Sequence, residues 1–166
     1  MNVLVKAERE IANGRLWRAK EILQGTVGHK GYKAEVYERL GRVLLQMQDS
    51  SEAGKYLLLS GVLLPEYQDS INTFIKKFEG KSFHLFRTFP RSAKLDNLSD
   101  YPPNTAAILR DLGLPERLKD DDGHLTFSPH YDNTGDWLFI GCAFIALFVI
   151  ALIILGVVKL VELIKS

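Results

Sequence analysis

The 166-residue chain has a single cysteine, Cys142, and lacks the short patterns that mark common active sites. One cysteine forms no intramolecular disulfide and builds no cysteine-based zinc site, so a disulfide or zinc scaffold is excluded. There is no GxSxG, no HExxH and no glycine-rich dinucleotide turn. We therefore expect no catalytic residue, no metal ligand and no cofactor, and a protein that is not an enzyme.

Two partial matches to ligand-binding loops fail on their spacing. Gly80-Lys81-Ser82 lacks the glycine that a phosphate-binding loop needs at position 75, where Ile75 stands. Asp120-Asp121-Asp122-Gly123 lacks the alternating acids of a calcium loop and the glutamate six residues after the glycine. Neither stretch is interpreted as a binding site.

The chain also lacks a large net charge, with 21 Lys and Arg against 20 Asp and Glu, but the charges are segregated. Residues 74–94 contain six basic residues and one acidic residue, whereas residues 95–136 contain three and nine. A basic, phenylalanine-rich segment of this kind suits anionic lipid headgroups. Nucleic acid is disfavoured as a partner because an acidic segment follows, and the two segments could instead pair with each other.

Residues 137–158 form the one long hydrophobic run, and these 22 residues contain no charge and no proline. As a helix they would span about 33 Å, close to the thickness of bilayer hydrocarbon. We expect a transmembrane helix, which is favoured over a buried core helix by its length. The absence of an earlier export signal favours a tail-anchored, single-pass protein of the cell membrane with a cytoplasmic N-terminal domain. The small residues Cys142 and Ala146 leave homo-oligomerisation through this helix open.

Helical periodicity dominates the rest of the chain. Apolar residues at helical spacing predict a first hairpin that turns at Asn13-Gly14, and Glu66 to Phe78 is typical of a further helix. Between them lie two further predicted helices. The first carries a large aromatic residue, a Leu, a Gly and a large apolar residue in that order, and the second carries an Ala, a large apolar residue and a small residue before Pro65. The residues are Tyr37, Leu40, Gly41, Leu44, Ala53, Leu57 and Ser60.

This unit, residues 34–67, resembles a tetratricopeptide repeat, in which Gly41 and Ala53 would allow two antiparallel helices to approach closely. A helical bundle without repeats is the alternative. Residues 10–80 also resemble a bacterial family of unknown function with a C-terminal membrane helix, and that resemblance implies a helical-repeat fold but no activity. The expected fold class is all-α, a short tetratricopeptide-like helical-hairpin domain plus one C-terminal transmembrane helix.

The expected domain boundaries follow these patterns. Residues 1–80 form the repeat domain, 81–119 an irregular extension with a short helix, 120–136 an acidic linker, 137–158 the membrane helix and 159–166 a short tail. Within the extension, Asn104 is expected to cap a helix from Thr105 to Leu112 that stops at Gly113, and Pro115 to open a last turn.

The tetratricopeptide resemblance implies an adaptor that binds a protein or peptide in a groove lined by the first helix of each hairpin. The groove residues it implies are Glu35, Glu38, Arg42, Gln46, Asn72 and Lys76. The alternative function is docking of the basic segment on the lipid bilayer, through Lys76, Lys77, Lys81, Phe83, Phe86, Arg87 and Arg91. An enzyme with an unrecognised site is the third hypothesis.

Overall fold

The structure, a computed structural model, describes residues 2–29 and 31–128. Seven α-helices lie within these ranges, together with two short 3-10 turns at Arg91–Ala93 and Leu98–Asp100. The helices are α1 (Val3–Ala12), α2 (Leu16–Val27), α3 (Ala34–Gln46), α4 (Ser50–Ser60), α5 (Pro65–Lys77), α6 (Ser82–Arg87) and α7 (Pro103–Asp111).

The boundaries of the first five helices follow from local chemistry. Gly14 takes a positive φ of 70° between α1 and α2, a backbone conformation that glycine adopts without strain, and this confirms the predicted turn. The Asp49 carboxylate accepts a hydrogen bond from the backbone N–H of Glu52, which satisfies a free donor in the first turn of α4. Pro65 is the first residue of α5, where the missing N–H costs nothing.

These five helices stack as antiparallel hairpins in two layers. Helix α2 packs against α1 and α3, and α4 packs against α3 and α5. Side chains join α1, α3 and α5 directly: Arg39 forms an ion pair with Glu8 at 2.6 Å, and the Tyr67 hydroxyl donates to Glu38 Oε1 at 3.2 Å. One layer therefore consists of α1, α3 and α5, and the other of α2 and α4.

Two glycines set the close packing of α4 against its neighbours. A Cβ on Gly41 would lie 2.6 Å from Cγ of Leu57, so α3 and α4 approach through the missing side chain, as the sequence predicts. A Cβ on Gly54 would overlap the carbonyl oxygen of Ser70 and lie 2.6 Å from its carbonyl carbon. Helices α4 and α5 are consequently closer than any side chain at position 54 permits.

Residues 82–128 complete the same core. Ser92 Oγ donates to the Val27 carbonyl at 2.6 Å and lies 2.8 Å from the Tyr37 hydroxyl. Thr105 Oγ1 donates to the Leu58 carbonyl at 2.8 Å, which fixes α7 against α4. The buried apolar side chains form one cluster, whose members range along the chain from Ala7 to Leu118.

Two local expectations in this region are wrong. Helix α7 begins at Pro103 rather than Thr105, and the Asn104 amide does not cap it but donates to the Gly61 carbonyl at 2.8 Å. Residues 115–118 form no helical turn, because Arg117 instead pairs with Asn97 in an antiparallel bridge. The predicted stop at Gly113 is confirmed, since its φ of 83° ends the helix.

The expected fold class is also corrected. No helix formed by residues 2–29 and 31–128 is long and apolar enough to cross a bilayer. The longest helices, α3 and α5, have 13 residues each and one polar side, whereas a span needs about 20 apolar residues. The predicted membrane helix 137–158 and the tail 159–166 lie outside the described residues. Over residues 2–29 and 31–128 the fold class is all-α, and the predicted membrane helix has no support from these residues.

Candidate functional site

The predicted groove residues on α3 share one side of that helix. Glu35, Glu38, Arg42 and Gln46 follow each other at intervals of three and four residues, the spacing of neighbours on a helix surface. Glu35, Arg42 and Gln46 are exposed, whereas Glu38 is half-buried against α5. The α3 part of the predicted groove is therefore a continuous polar strip.

Tyr67 is the α5 residue that contacts this strip. Burial raises the pKa of the Tyr67 hydroxyl, the Glu38 carboxylate that accepts its hydrogen bond raises it further, and the positive charge of Arg42 lowers it. Arg42 therefore lies close enough to act electrostatically on the Tyr67–Glu38 pair. These three side chains mark the junction of α3 and α5.

The structure places Asn72 and Lys76 elsewhere on α5. They line a cavity of about 380 Å³ together with Leu112, which follows α7. Glu35 lines a different cavity, of about 520 Å³, at the N-terminal ends of α1 and α3. The six predicted groove residues are thus distributed over the α3–α5 junction and two separate cavities, and no single described cavity contains them all.

The phenylalanines of the basic segment mostly face the core. Phe74, Phe86 and Phe89 are at most 3% exposed, and the Phe86 ring packs against Phe89 and Phe127. The expectation that Phe86 inserts into a lipid surface is corrected, because a buried ring cannot reach lipid while the domain is folded. Phe83 remains half-buried.

Five of the six cations of this segment are exposed and Lys94 is half-buried, and none of the six forms an ion pair with a carboxylate in the described part of the chain. The ion pairs of the acidic segment are internal to it: Lys119 with Asp96, Arg110 with Glu116, and Arg117 with Asp121. The unpaired basic residues of segment 74–94 are Lys76, Lys77, Lys81, Arg87, Arg91 and Lys94. Pairing of the two oppositely charged segments is not observed among residues 2–29 and 31–128.

Two of these cations, Arg91 and Lys94, line a cavity of about 980 Å³ that the sequence pattern did not reveal. Arg91, Lys94 and Lys119 line it, together with Tyr32 and Leu95. Its lining comes from the α2–α3 loop, the segment after Pro90 and the region after α7. No local motif links positions 29, 91 and 119, so only the tertiary structure brings them together.

Lys94 is the clearest sign that positive charge is concentrated there. Burial lowers the pKa of its ammonium group, and repulsion from Arg87, Arg91 and Lys119 lowers it further. The Lys94 ammonium donates to the Arg87 carbonyl at 2.9 Å, and Lys119 donates to the Lys94 carbonyl. These hydrogen bonds hold the cations close to one another despite their repulsion.

An aromatic side chain that lines this cavity, Tyr32, packs against two further tyrosines. Tyr32 contacts Tyr37 and Tyr101 edge to face, with ring centroids 5.0 Å and 5.5 Å apart. Burial raises the pKa of the Tyr32 and Tyr101 hydroxyls, which donate to the carbonyls of Leu59 and Ala93. The cavity thus combines a fixed aromatic side with a charged side.

The described residues form an all-α domain of stacked helical hairpins with exposed polar surfaces. Within residues 2–29 and 31–128 no three His, Cys, Asp or Glu side chains are grouped as metal ligands would be. Residues 1–162 match the model of a family of unknown function, DUF6584, and the chain belongs to that family. No curated protein and no solved structure matches the chain.

The family match confirms the predicted membership in a family of unknown function and extends it well beyond residues 10–80. No tetratricopeptide family is matched, so the repeat interpretation depends on the residue pattern and the helix arrangement alone. The family description names no activity, and it therefore assigns no role to any residue.

Proposed function

We propose that the helical-hairpin domain binds a protein or peptide partner on the exposed side of α3 and its junction with α5, without catalysing a reaction. The proposal is supported by the arrangement of α1, α3 and α5 in one layer, which is similar to the layer that lines the groove of tetratricopeptide proteins. Such a layer presents side chains from successive hairpins to one ligand.

The observation that carries the proposal is the position of Arg42. Its side chain is exposed, lies beside the Tyr67–Glu38 hydrogen bond, and forms no ion pair with any described residue. Glu35 and Gln46 extend the polar strip one turn or more on either side of it. An exposed arginine that has no carboxylate partner among the described residues is typical of the residues that dominate binding energy in protein interfaces.

The alternative function, docking of segment 74–94 on a lipid surface, has less support. Phe74, Phe86 and Phe89 are buried, so the aromatic contribution to membrane binding is reduced to the half-buried Phe78 and Phe83. The predicted location at the cytoplasmic face of the cell membrane is not needed for the proposed partner binding, and it stays a prediction.

Site-specific photo-crosslinking of the full chain in its native cells tests the proposal. A photoreactive amino acid at Arg42 or Gln46 should give one discrete cross-linked product. The same amino acid at Gln24, an exposed position in the other layer on α2, is the matched control. Identical products from Gln24 and Arg42, or no product from Arg42 and Gln46, would contradict the proposed surface.

Charge reversal then measures the contribution of each cation. Arg42→Glu should weaken capture of the cross-linked partner about tenfold or more, as for removal of an interface arginine. Lys76→Glu, alone and combined with Arg42→Glu, tests whether the cavity beside Leu112 belongs to the same surface. Lys81→Glu changes the net charge equally at an exposed site away from the strip. An equal loss for Arg42→Glu and Lys81→Glu would argue against a specific contact.

A further inference from the structure

The cavity lined by Arg91, Lys94 and Lys119 has the chemistry of a site for an anionic small molecule. We propose that it binds a small molecule through a phosphate monoester group, which lies against Arg91 and Lys94 while the organic part lies against Tyr32 and Leu95. This site is separate from the α3–α5 strip, and the proposal does not depend on the proposed partner binding.

The charge balance of the cavity favours an anion. Three cations, Arg91, Lys94 and Lys119, and two carboxylates, Asp96 and Asp100, line it, so the lining carries one net positive charge. Arg87 adds to this charge from outside the lining, since it is close enough to Lys94 to lower the pKa of that ammonium group. Both carboxylates are already engaged. Asp96 accepts from the Lys119 ammonium at 2.7 Å, and Asp100 accepts from the backbone and side-chain N–H groups of Asn97, at 3.2 Å each.

Arg87 and Arg91 have no carboxylate partner among the described residues, and together with Lys94 they form a concentration of like charge. Burial is the main reason that the pKa of Lys94 is lowered, and repulsion from neighbouring cations adds to it; a dianion placed beside Arg91 and Lys94 would relieve that repulsion. A planar guanidinium presents a fork of donors that matches the oxygens of a phosphate group, and the Lys94 ammonium adds a point charge beside it.

The backbone that carries these cations is held in place. Ser92 is anchored to the Val27 carbonyl at 2.6 Å, and the Tyr101 hydroxyl joins Ala93 to Leu95 by donating to one carbonyl and accepting from the other backbone N–H. Arg91 and Lys94 therefore project from a fixed segment. A preformed site loses little conformational entropy when the ligand binds.

The volume and shape favour a small molecule over a membrane. A cavity of about 980 Å³ is much larger than a phosphate ion and falls in the range of pockets that bind small organic ligands. Tyr32 and Leu95 give it an apolar side at which a ring or hydrocarbon group can pack. Since the neighbouring Phe86 and Phe89 are buried, the cations line a concave surface without an apolar rim for insertion into lipid.

Calorimetric titration of the full chain with phenyl phosphate tests the proposal, since this probe combines a phosphate monoester with a ring. Binding should be measurable at about 50 mM salt and should weaken as salt increases, as for partly exposed charges. Benzenesulfonate has the same ring but one negative charge, and it should bind less tightly. Absence of phenyl phosphate binding at millimolar concentration, or equal binding of both probes, would overturn the proposal.

Variants locate the bound probe. Arg91→Gln should weaken phenyl phosphate binding about tenfold, the loss expected for one charge-assisted hydrogen bond. Lys81→Gln removes the same charge from the same basic segment outside the cavity lining and should leave the affinity unchanged. Both side chains are exposed, so both variants should fold, and equal thermal midpoints without ligand check this. Equal weakening by the two variants would reduce the effect to general surface charge and overturn the proposal.

A vesicle experiment distinguishes the two sources of the same phosphate chemistry. Vesicles of phosphatidylcholine with phosphatidic acid present phosphate monoesters on a membrane. Binding of phenyl phosphate that is weakened in Arg91→Gln supports the small-molecule site. Binding of the chain to these vesicles without any binding of phenyl phosphate would overturn it in favour of a lipid surface.

Discussion

Substitution of Gly54 by alanine should destabilise the domain strongly, although alanine is the better helix former. An added Cβ would overlap the Ser70 carbonyl oxygen and lie 2.6 Å from its carbonyl carbon and 2.9 Å from Cβ of Phe74. The Ser70 atoms are backbone atoms inside α5 and cannot rotate away. Helix α5 must therefore move as a whole, which loosens its buried residues Tyr67, Ile71 and Phe74.

The expected loss of stability in Gly54→Ala is the difference between the cost of overpacking and the gain in helix propensity. Overpacking of a tight core costs about 1–3 kcal/mol or more, and replacement of a helical glycine by alanine returns about 1 kcal/mol. The backbone clash places Gly54→Ala at the upper end, so we expect a net loss of about 2 kcal/mol or more in the free energy of unfolding. For a domain of this size that lowers Tm by about 6 °C.

Gly25→Ala is the matched control, because Gly25 also lies within a helix but no atom lies within 4 Å of its added Cβ. It should be neutral or stabilising by up to about 1 kcal/mol. Gly41→Ala should fall between the two, since its closest contact is the Leu57 side chain, which can shift. Urea unfolding with an unchanged slope measures all three. A Gly54→Ala variant at least as stable as the parent would refute the inferred α4–α5 packing.

Two further predictions concern the aromatic core. Burial, with Glu52 adding to it, raises the pKa of Tyr56 to about 12, above its ordinary value of 10.0, so the neutral phenol stabilises the fold. This contribution to stability is complete below pH 10 and is lost as the pH rises toward 12. Above pH 10, the urea midpoint of Tyr56→Phe should therefore decline less steeply with pH than the midpoint of the parent. Parallel declines of the two midpoints would count against the raised pKa of Tyr56. Phe86→Ala should cost about 3–5 kcal/mol in unfolding free energy and Phe83→Ala clearly less, because Phe86 is fully buried and Phe83 only half-buried. If Phe86→Ala left stability unchanged, Phe86 would be available for lipid after all.

The first five helices could be predicted from the sequence because their signals are local. Each signal acts within one turn of the chain: Gly14 has a positive φ, Asp49 caps α4, and Pro65 begins α5. The same local reasoning gave a wrong cap for α7, although it correctly predicted the end of that helix at Gly113. Asn104 has the side chain of a helix cap, but α7 begins one residue earlier, at Pro103, so Asn104 lies inside the helix, where its side-chain NH2 donates to the Gly61 carbonyl in the α4–α5 connection.

The two predicted sites show a similar division. Spacing along one helix correctly placed Glu35, Glu38, Arg42 and Gln46 on one side of α3. It could not show that Asn72 and Lys76 face Leu112, since that depends on where α7 packs. Composition identified the basic segment. It could not show whether Phe86 faces lipid or the core, because the same residue type suits both environments.

The sequence by itself determined the all-α character of the domain, the hairpin turns and the segregation of charge, because each arises from neighbouring residues on one stretch of chain. Only the tertiary structure decided which phenylalanines are buried and which cations have no ion-pair partner among the described residues. It also decided that Tyr32, Arg91, Lys94, Leu95 and Lys119 line one cavity. The physical reason is that burial and charge proximity depend on contacts between distant segments. Packing of residues 82–128 against α2, α3 and α4 creates those contacts, and no local pattern encodes them.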